Sequence, residues 1–139
     1  MAEIKFYNSL TDEEKYIRTT VFVEEQKFNE EFDTIDETAT HAIIYVDGKA
    51  AGCARMFKDE KRNAYHIGRV AILKEFRKLH LGAEIMNAML KKAAELGGKT
   101  AIVSAQCRVR GFYESLGFEA SGDVYLDEYC PHIHMEKKL

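Results

Sequence analysis

Hydrophobic and polar residues follow two periods along the chain: short alternating or apolar stretches, typical of strands, and longer ones with apolar residues every three or four positions, typical of helices. The first kind predicts strands over residues 3–7, 41–46, 50–57, 65–73 and 100–105, and a final hairpin that begins at 117–118 and returns over 132–137. The second kind predicts helices from Thr11 to about Gln26, over 83–96 and over 109–116. The carboxylate-rich residues 27–40 are predicted to form a loop or a broken helix.

Turn and capping residues support these boundaries. Asp47-Gly48 has the residues of a two-residue hairpin turn, so the strands on either side are expected to pair antiparallel. Thr11 and Glu14 have the spacing of a capping box at the start of the first helix. Gly97-Gly98 provides a C-terminal stop for the second helix.

Residues 70–86 join the end of a strand to the start of a helix through a short basic loop. The first amides of a helix have no partner within it and carry partial positive charge, so a loop at this place favours an anion. Arg77, Lys78 and His80 add hydrogen-bond donors, and Gly82 allows a bound group to approach the backbone closely. The segment predicts a phosphate or pyrophosphate site, although a glycine near a helix start is also common in proteins that bind nothing.

Length and charge limit the class of protein. With 139 residues, 46% of them hydrophobic, the chain is expected to form one globular domain over 1–139. The net charge of −3 provides no overall attraction for nucleic acid or an anionic membrane. No apolar run reaches the roughly 18 residues of a membrane span, and the acidic N-terminus lacks the features of a signal peptide. We therefore expect a cytoplasmic protein, as a monomer or a homodimer, without a disulfide framework, since Cys53, Cys107 and Cys130 lie far apart.

A second informative stretch lies near the end of the predicted third helix. Phe112, Tyr113 and Leu116 share one face of this helix, and Gly117 has the position of its C-terminal cap. Periodicity by itself makes these residues part of the core, and Tyr113 needs no further role on that interpretation.

Two motifs carry a resemblance. Arg77 and Gly82 occupy the first and last positions of the pyrophosphate-loop pattern Gln/Arg-x-x-Gly-x-Gly/Ala, in which His80 replaces the middle glycine. Phe112-Tyr113 followed by Gly117-Phe118 is similar to a second motif of the same proteins. On these motifs the chain is identified as a member of the GCN5-related N-acetyltransferase (GNAT) superfamily, and over nearly its whole length it resembles the ElaA/YjcF-like subgroup. The residues that carry the closer resemblance are Arg18, 21–26, Asp36, Glu37, His41, Gly52, Arg55, Arg69, Ala105, Gln106, Pro131, His132 and Met135.

The resemblance implies a single-domain α/β fold with a mixed, mostly antiparallel sheet flanked by helices and a CoA cleft between the fourth and fifth strands. It implies acetyl-CoA as co-substrate, an oxyanion held by an amide of the fourth strand, and Tyr113 as the acid that protonates the departing thiolate. The side chain of His80 restricts the conformations of the pyrophosphate loop. The expected CoA-binding residues are Val70, Ala71, Ile72, Arg77, Lys78, Leu79, His80, Leu81, Gly82, Ala83, Gln106 and Phe112.

The base that deprotonates the acceptor amine has several candidates, because Gly68 stands where many relatives carry a glutamate. His41 and His132, at the starts of strands, are the predicted catalytic histidines. Alternatives are Glu24, Glu25, Asp36 and His66. His132 and His134 share a strand face, but no further ligand follows at a suitable spacing, so no metal site is predicted. Cys107 near a helix start is either a nucleophile or, as we favour, a small buried residue.

The acceptor prediction rests on residues 24–37, where Lys27 is the only basic residue among many carboxylates. In the resembled fold this segment borders the acceptor side of the cleft. Glu24, Glu25 and Asp36 are the predicted contacts to a cationic acceptor, and a merely solvated surface is the alternative. The sequence thus predicts acetyl transfer to a small-molecule or peptide amine, with a module that binds or senses acyl-CoA without turnover as the other class.

Overall fold

One mixed sheet of seven strands forms the centre of the computed structural model, which describes residues 2–29 and 31–139. The strands are β1 (Ala2–Tyr7), β2 (Thr40–Val46), β3 (Lys49–Lys58), β4 (Ala64–Ile72), β5 (Thr100–Gln106), β6 (Glu119–Asp127) and β7 (Cys130–Lys138). They lie in the order β1-β2-β3-β4-β5-β7-β6, and every neighbouring pair is antiparallel except the parallel pair β4 and β5. This topology confirms the predicted fold class.

Helices cover both faces of the sheet. They are α1 (Asp12–Arg18), a π-helix (Thr19–Glu25), α2 (Leu81–Glu95) and α3 (Arg110–Ser115), with 3₁₀ turns at Thr34–Glu37, Lys74–Phe76 and Cys107–Val109. The apolar stripe of α2, which includes Ile85, Met86 and Met89, packs into the larger core on one face. Ile17 of α1 and Val21 of the π-helix pack into a second core on the other face. Within the described part of the chain, no helix combines the length and the apolar character that a membrane span requires.

The first helix begins as predicted but changes type halfway. The amide of Glu14 donates to the Thr11 hydroxyl over 3.1 Å, which is the first half of a capping box. The second half does not form, because the Glu14 side chain turns inward and is fully buried. After Arg18 the chain continues as a π-helix, in which the amide of Gln26 donates to the carbonyl of Val21 over 3.0 Å. The predicted length is therefore right, whereas the expected single α-helix is wrong.

Strands β4 and β5 separate after a short paired segment. Their ladder joins Ala64, Tyr65 and His66 to residues 100–102 and then ends. Beyond it, β4 stays with β3 and β5 stays with β7. A bulge near Arg69, whose φ is +52°, adds a residue to β4 and turns it away from β5. The sheet therefore opens into a cleft between its fourth and fifth strands, as predicted.

A buried cluster of ion pairs joins α1 to the segment before β2. The Arg18 side chain is fully buried, and its Nη1 donates to Glu14 and to Asp36 over 2.7 Å each. Its Nε donates to Glu31 over 2.8 Å. Burial by itself would raise the pKa of Asp36, but hydrogen bonds from Arg18 and Arg55 outweigh it and lower that pKa to about 2. Asp36 therefore stays ionised inside the protein.

The charge balance of this cluster favours a proton on His41. Three arginines, Arg18, Arg55 and Arg69, face four carboxylates, those of Glu14, Glu31, Asp33 and Asp36. The fully buried His41 places Nδ1 2.9 Å from a Glu14 oxygen and Nε2 2.9 Å from the Asp36 carbonyl, both of which accept hydrogen bonds. Burial alone would lower the pKa of His41, but these hydrogen bonds raise it overall. A doubly donating imidazolium supplies the fourth positive charge.

Replacing His41 by leucine should destabilise the protein in a pH-dependent way. Removing one partner of a buried charge network costs roughly 3–5 kcal/mol. Because the folded pKa of His41 is raised, its contribution is complete below the unfolded value of about 6.5 and is lost as the pH rises through the folded value. Urea unfolding of the native protein and of His41→Leu should give two free energies of unfolding, and the gap between them should narrow from pH 6 towards higher pH. The exposed His80→Leu serves as control, and a gap that stays constant or widens with pH would contradict the imidazolium assignment.

Candidate active site

An open cavity of about 660 Å³ occupies the gap between β4 and β5 and reaches both faces of the sheet. Strand positions alternate between faces, so residues that flank the α2-facing Ile67 and Val103 point towards the π-helix. The π-helix side is lined by Phe22, Phe28, Phe57, Gly68, Ile102, Ser104 and His132. The α2 side is lined by Val70, Ile72, Gly82, Phe112 and Tyr113.

The predicted pyrophosphate loop forms the α2 side of the entrance. Lys78 and His80 adopt left-handed backbone conformations, with φ of +81° and +59°. His80 directly precedes Leu81, the first residue of α2. His80 therefore adopts a backbone conformation that glycine adopts more easily, which explains why the resembled pattern has glycine there. Glycine is suited to position 82 for a different reason, since a Cβ there would lie 3.3 Å from the ring of Phe112.

Arg77 of this loop is already paired. Its Nη1 and Nη2 donate to the two carboxylate oxygens of Glu25 over 2.7 and 2.8 Å, and its Nε donates to the Ile72 carbonyl over 2.9 Å. The ion pair spans the mouth of the cleft from the π-helix to the loop. The two residues predicted to bind a cationic acceptor and a pyrophosphate thus bind each other in the free protein.

A second bridge starts at the next residue. The Gln26 side chain accepts a hydrogen bond from Gln106 of β5 over 2.8 Å, and Gln106 accepts one from Arg108 over 2.9 Å. The Tyr129 hydroxyl, in the turn between β6 and β7, donates to the Gln26 carbonyl. The end of the π-helix therefore contacts both walls of the cleft.

Tyr113 lines the cavity from α3 and is otherwise buried. Its ring packs edge to face against Phe112 and Phe118, at centroid distances of 5.1 and 5.8 Å. Among the described residues its hydroxyl has no hydrogen-bond partner, and burial raises the pKa of Tyr113 to about 12. A phenol in this state keeps its proton at neutral pH and can donate it into the cavity.

His132 lines the cavity from β7. Its Nδ1 lies 2.9 Å from the Cys130 carbonyl, which can only accept, so in the neutral ring Nδ1 carries the proton and Nε2 has the lone pair. The ladders pair His66 with Ile102 and Gln106 with His132, so His132 lies on the strand beyond β5, about level with Val70 of β4. A nucleophile in the opening between β4 and β5 would thus have a proton acceptor on the β5 side.

Several residues predicted from sequence lie elsewhere. His41 and Asp36 are buried in the ion-pair cluster, with their polar atoms engaged there, so the predictions of His41 as a base and Asp36 as an acceptor contact are wrong. Glu24 is exposed and does not line the cavity. His66 does line it, but its Nε2 is held 2.7 Å from Asp59. Cys107 is partly buried against the larger core.

Residues that sequence reasoning left without a role also line the cavity, namely Gln26, Phe28, Glu31, Arg55 and Arg69. The subgroup resemblance marked three of them, but no periodicity could place them in the site, because their positions depend on the bulge in β4 and on the ion-pair cluster.

One group of side chains has the spacing of a metal site. Ligand atoms of Glu14, Asp36 and His41 all lie within 4.8 Å of one another. The Arg18 guanidinium already donates to both carboxylates over 2.7 Å, and it fills the place where a cation would bind. These residues therefore do not fit a metal ion.

Comparison with known proteins gives consistent results. A family model described as an acetyltransferase (GNAT) domain matches residues 7–139. The uncharacterized N-acetyltransferase YjcF of Bacillus subtilis is 32% identical over 126 residues, which cover 88% of each chain. An acyl-CoA N-acyltransferase from Pseudomonas aeruginosa superposes with a TM-score of 0.86 at 28% identity, over 99% of each chain. ElaA of Escherichia coli superposes with the same score at 26% identity, over 99% of each chain.

The Glu25–Arg77 pair predicts a change in CoA affinity. A hydrogen bond from Arg77 lowers the pKa of Glu25, so this carboxylate is ionised and competes with a pyrophosphate for the guanidinium. An exposed pair of this kind is worth about 0–1 kcal/mol, so Glu25→Gln should bind CoA up to about fivefold more tightly in calorimetric titration. Glu24→Gln makes the same charge change one residue away and should have little effect. Weaker binding by Glu25→Gln than by Glu24→Gln would mean that Glu25 orients Arg77 instead of competing for it.

Proposed function

The chain belongs to the acetyltransferase (GNAT) domain family of acyl-CoA-dependent N-acyltransferases, and on this premise we propose that it transfers the acetyl group of acetyl-CoA to an amine by direct attack in a ternary complex. The observation that carries the proposal is the placement of a proton acceptor and a proton donor, His132 and Tyr113, on one cavity at the opening of the sheet. Their opposite roles follow from a free imidazole lone pair and a protonated phenol.

CoA is proposed to enter from the α2 side. Its pyrophosphate would meet the amides and side chains from Arg77 to Ala83, where the first turn of α2 offers free N–H groups. Its pantetheine arm would run along residues 70–72, whose edge towards β5 has no ladder partner. Gln106 and Phe112 border the same path. The thioester would then lie near Val70, where a strand amide can stabilise the oxyanion.

The chemistry needs three proton transfers. An alkyl ammonium with a pKa near 10.4 is almost wholly protonated at neutral pH, so the acceptor must lose a proton before its nitrogen attacks. In the proposed mechanism Nε2 of His132 takes this proton, directly or through water. The nitrogen forms a bond to the thioester carbon, the C–S bond breaks, and the CoA thiolate takes the phenolic proton of Tyr113. The new amide nitrogen still carries one extra proton, which it gives to the Tyr113 phenolate through water, and His132 releases its proton to solvent.

The other class is a module that binds acyl-CoA without turnover. Two departures from the family pattern favour it, namely His80 in place of a glycine and Gly68 in place of a glutamate. The first is a weaker argument than the sequence indicates, because His80 adopts the left-handed conformation that its position requires. Release of CoA thiol from acetyl-CoA with a library of amines separates the two functions. Thiol release that depends on an amine supports the transferase, whereas CoA binding without release by any amine supports the sensor.

Replacing Tyr113 by phenylalanine should lower kcat by about 10²–10⁴-fold with little change in CoA affinity, since only the proton donor is lost. Single-turnover measurement of thiol release tests this under conditions where chemistry limits the rate. Tyr65→Phe is the matched control, because Tyr65 is a half-buried tyrosine of β4 that does not line the cavity. Native turnover in Tyr113→Phe would return Tyr113 to a purely structural role.

Replacing His132 by alanine should lower kcat by a comparable factor, and added imidazole should restore part of the activity by occupying the vacated space. His66→Ala is the control, because His66 lines the same cavity but is tied to Asp59. Rescue that is absent in His132→Ala, or equal in both variants, would show that His132 is not the base.

A further inference from the structure

Three described carboxylates line the cavity: Glu25 and Glu31, which are paired with arginines, and Asp127 at the exposed end of β6. Aromatic rings surround His132 on the π-helix side. We propose that the acceptor is a primary amine carried on an apolar group, such as an arylalkyl or branched alkyl amine, and not a polyamine, amino sugar or basic peptide. The inference rests on the proposed transferase function and names its substrate class.

The first support is electrostatic. Among the described residues of 24–37, the carboxylates nearest the cavity are already paired with arginines: Glu25 with Arg77, Glu31 with Arg18 and Arg69, and Asp33 with Arg55. A polyamine would have to displace a guanidinium that donates in a bidentate or multiply bonded arrangement. The clustered carboxylates that suggested a cationic acceptor therefore offer it no free site.

The second support is the aromatic lining. Phe28 lies 6.4 Å from the ring of Phe22, 5.4 Å from that of Tyr129 and 6.4 Å from that of His132. Phe57 of β3 also lines the cavity, and its ring stacks on that of His66 with the two centroids 4.9 Å apart. The proposed base His132 therefore belongs to a wall of aromatic rings, and an apolar substituent of the acceptor would be buried against them.

The third support is space. A Cβ at Gly68 would meet no atom within 4 Å. Gly68 faces the π-helix side, opposite Arg55 in the ladder between β3 and β4. The missing side chain thus leaves room for a substituent of the acceptor between Phe57, Ile102 and the π-helix.

An apolar pocket also assists the reaction. Burial lowers the pKa of an amine because it disfavours the charged form, so an acceptor whose only charge is the reacting ammonium becomes easier to deprotonate by His132. A second ammonium on the same acceptor would be desolvated at a large cost without taking part in the reaction. Both effects favour monoamines with apolar substituents.

The test compares acceptors of matched size at saturating acetyl-CoA: phenethylamine and isoamylamine against spermidine and glucosamine. We expect kcat/KM to be at least about tenfold higher for the apolar amines, with a KM that does not change with salt. Gly68→Leu, whose Cβ would meet no atom within 4 Å and whose backbone is not left-handed, should lower kcat/KM for phenethylamine more than for ethylamine. Phe28→Leu should do the same, whereas Phe6→Leu, on the distant β1, should not.

The outcomes separate the substrate class from the function. Best turnover with spermidine and a salt-dependent KM would overturn the apolar class and leave the transferase intact. A Gly68→Leu variant that loses only donors longer than acetyl-CoA would also overturn it, because the space would then belong to the acyl chain. CoA binding without turnover of any amine would overturn the proposed function itself.

Discussion

The buried guanidinium of Arg18 is the interaction on which the acceptor side of the protein depends. It holds Glu14 of α1, Glu31 of the following segment and Asp36 before β2 in one place. A buried charge is tolerated only when its partners are complete, so these elements are fixed together or not at all. The same cluster, through Arg55 and Arg69, ties the segment to β3 and to the bulge of β4. One charged group therefore determines where the π-helix side of the cavity lies relative to the sheet.

The sequence predicted the parts of the molecule that depend on local pattern. Strand positions, the Asp47-Gly48 hairpin, the amphipathic face of α2 and the basic loop before it all follow from neighbouring residues. Tyr113 was placed on the correct short helix, and its position beside the cavity agrees with the second motif. The helix type after Arg18 was missed, because the few apolar positions there, such as Ile17 and Val21, also fit an α-helical period.

The carboxylates of 24–37 show where sequence reasoning stops. From composition and charge alone, these carboxylates look available to a ligand, because Lys27 is the only basic residue near them in the sequence. Their partners come from α1, β3, β4 and the loop before α2, at separations of up to 52 residues along the chain. The same limitation applies to His41, which looks like a free histidine at a strand start and is in fact buried between Glu14 and the Asp36 carbonyl. Long-range charge pairing has no local signature, and here it gives arginine partners to carboxylates that composition alone leaves available to a ligand.

The short ladder between β4 and β5 has a consequence for the stability of the folded protein. Past His66 the two halves of the sheet are no longer hydrogen-bonded to each other, so the free protein keeps an unpaired strand edge inside its own fold. Any molecule that fills this opening and binds only the folded chain adds to its stability. Opening at this seam breaks no ladder hydrogen bond between β4 and β5 beyond His66, so we expect it to cost less free energy than separating fully paired strands. Occupation of the seam by a ligand should therefore make the folded chain more resistant to proteolysis.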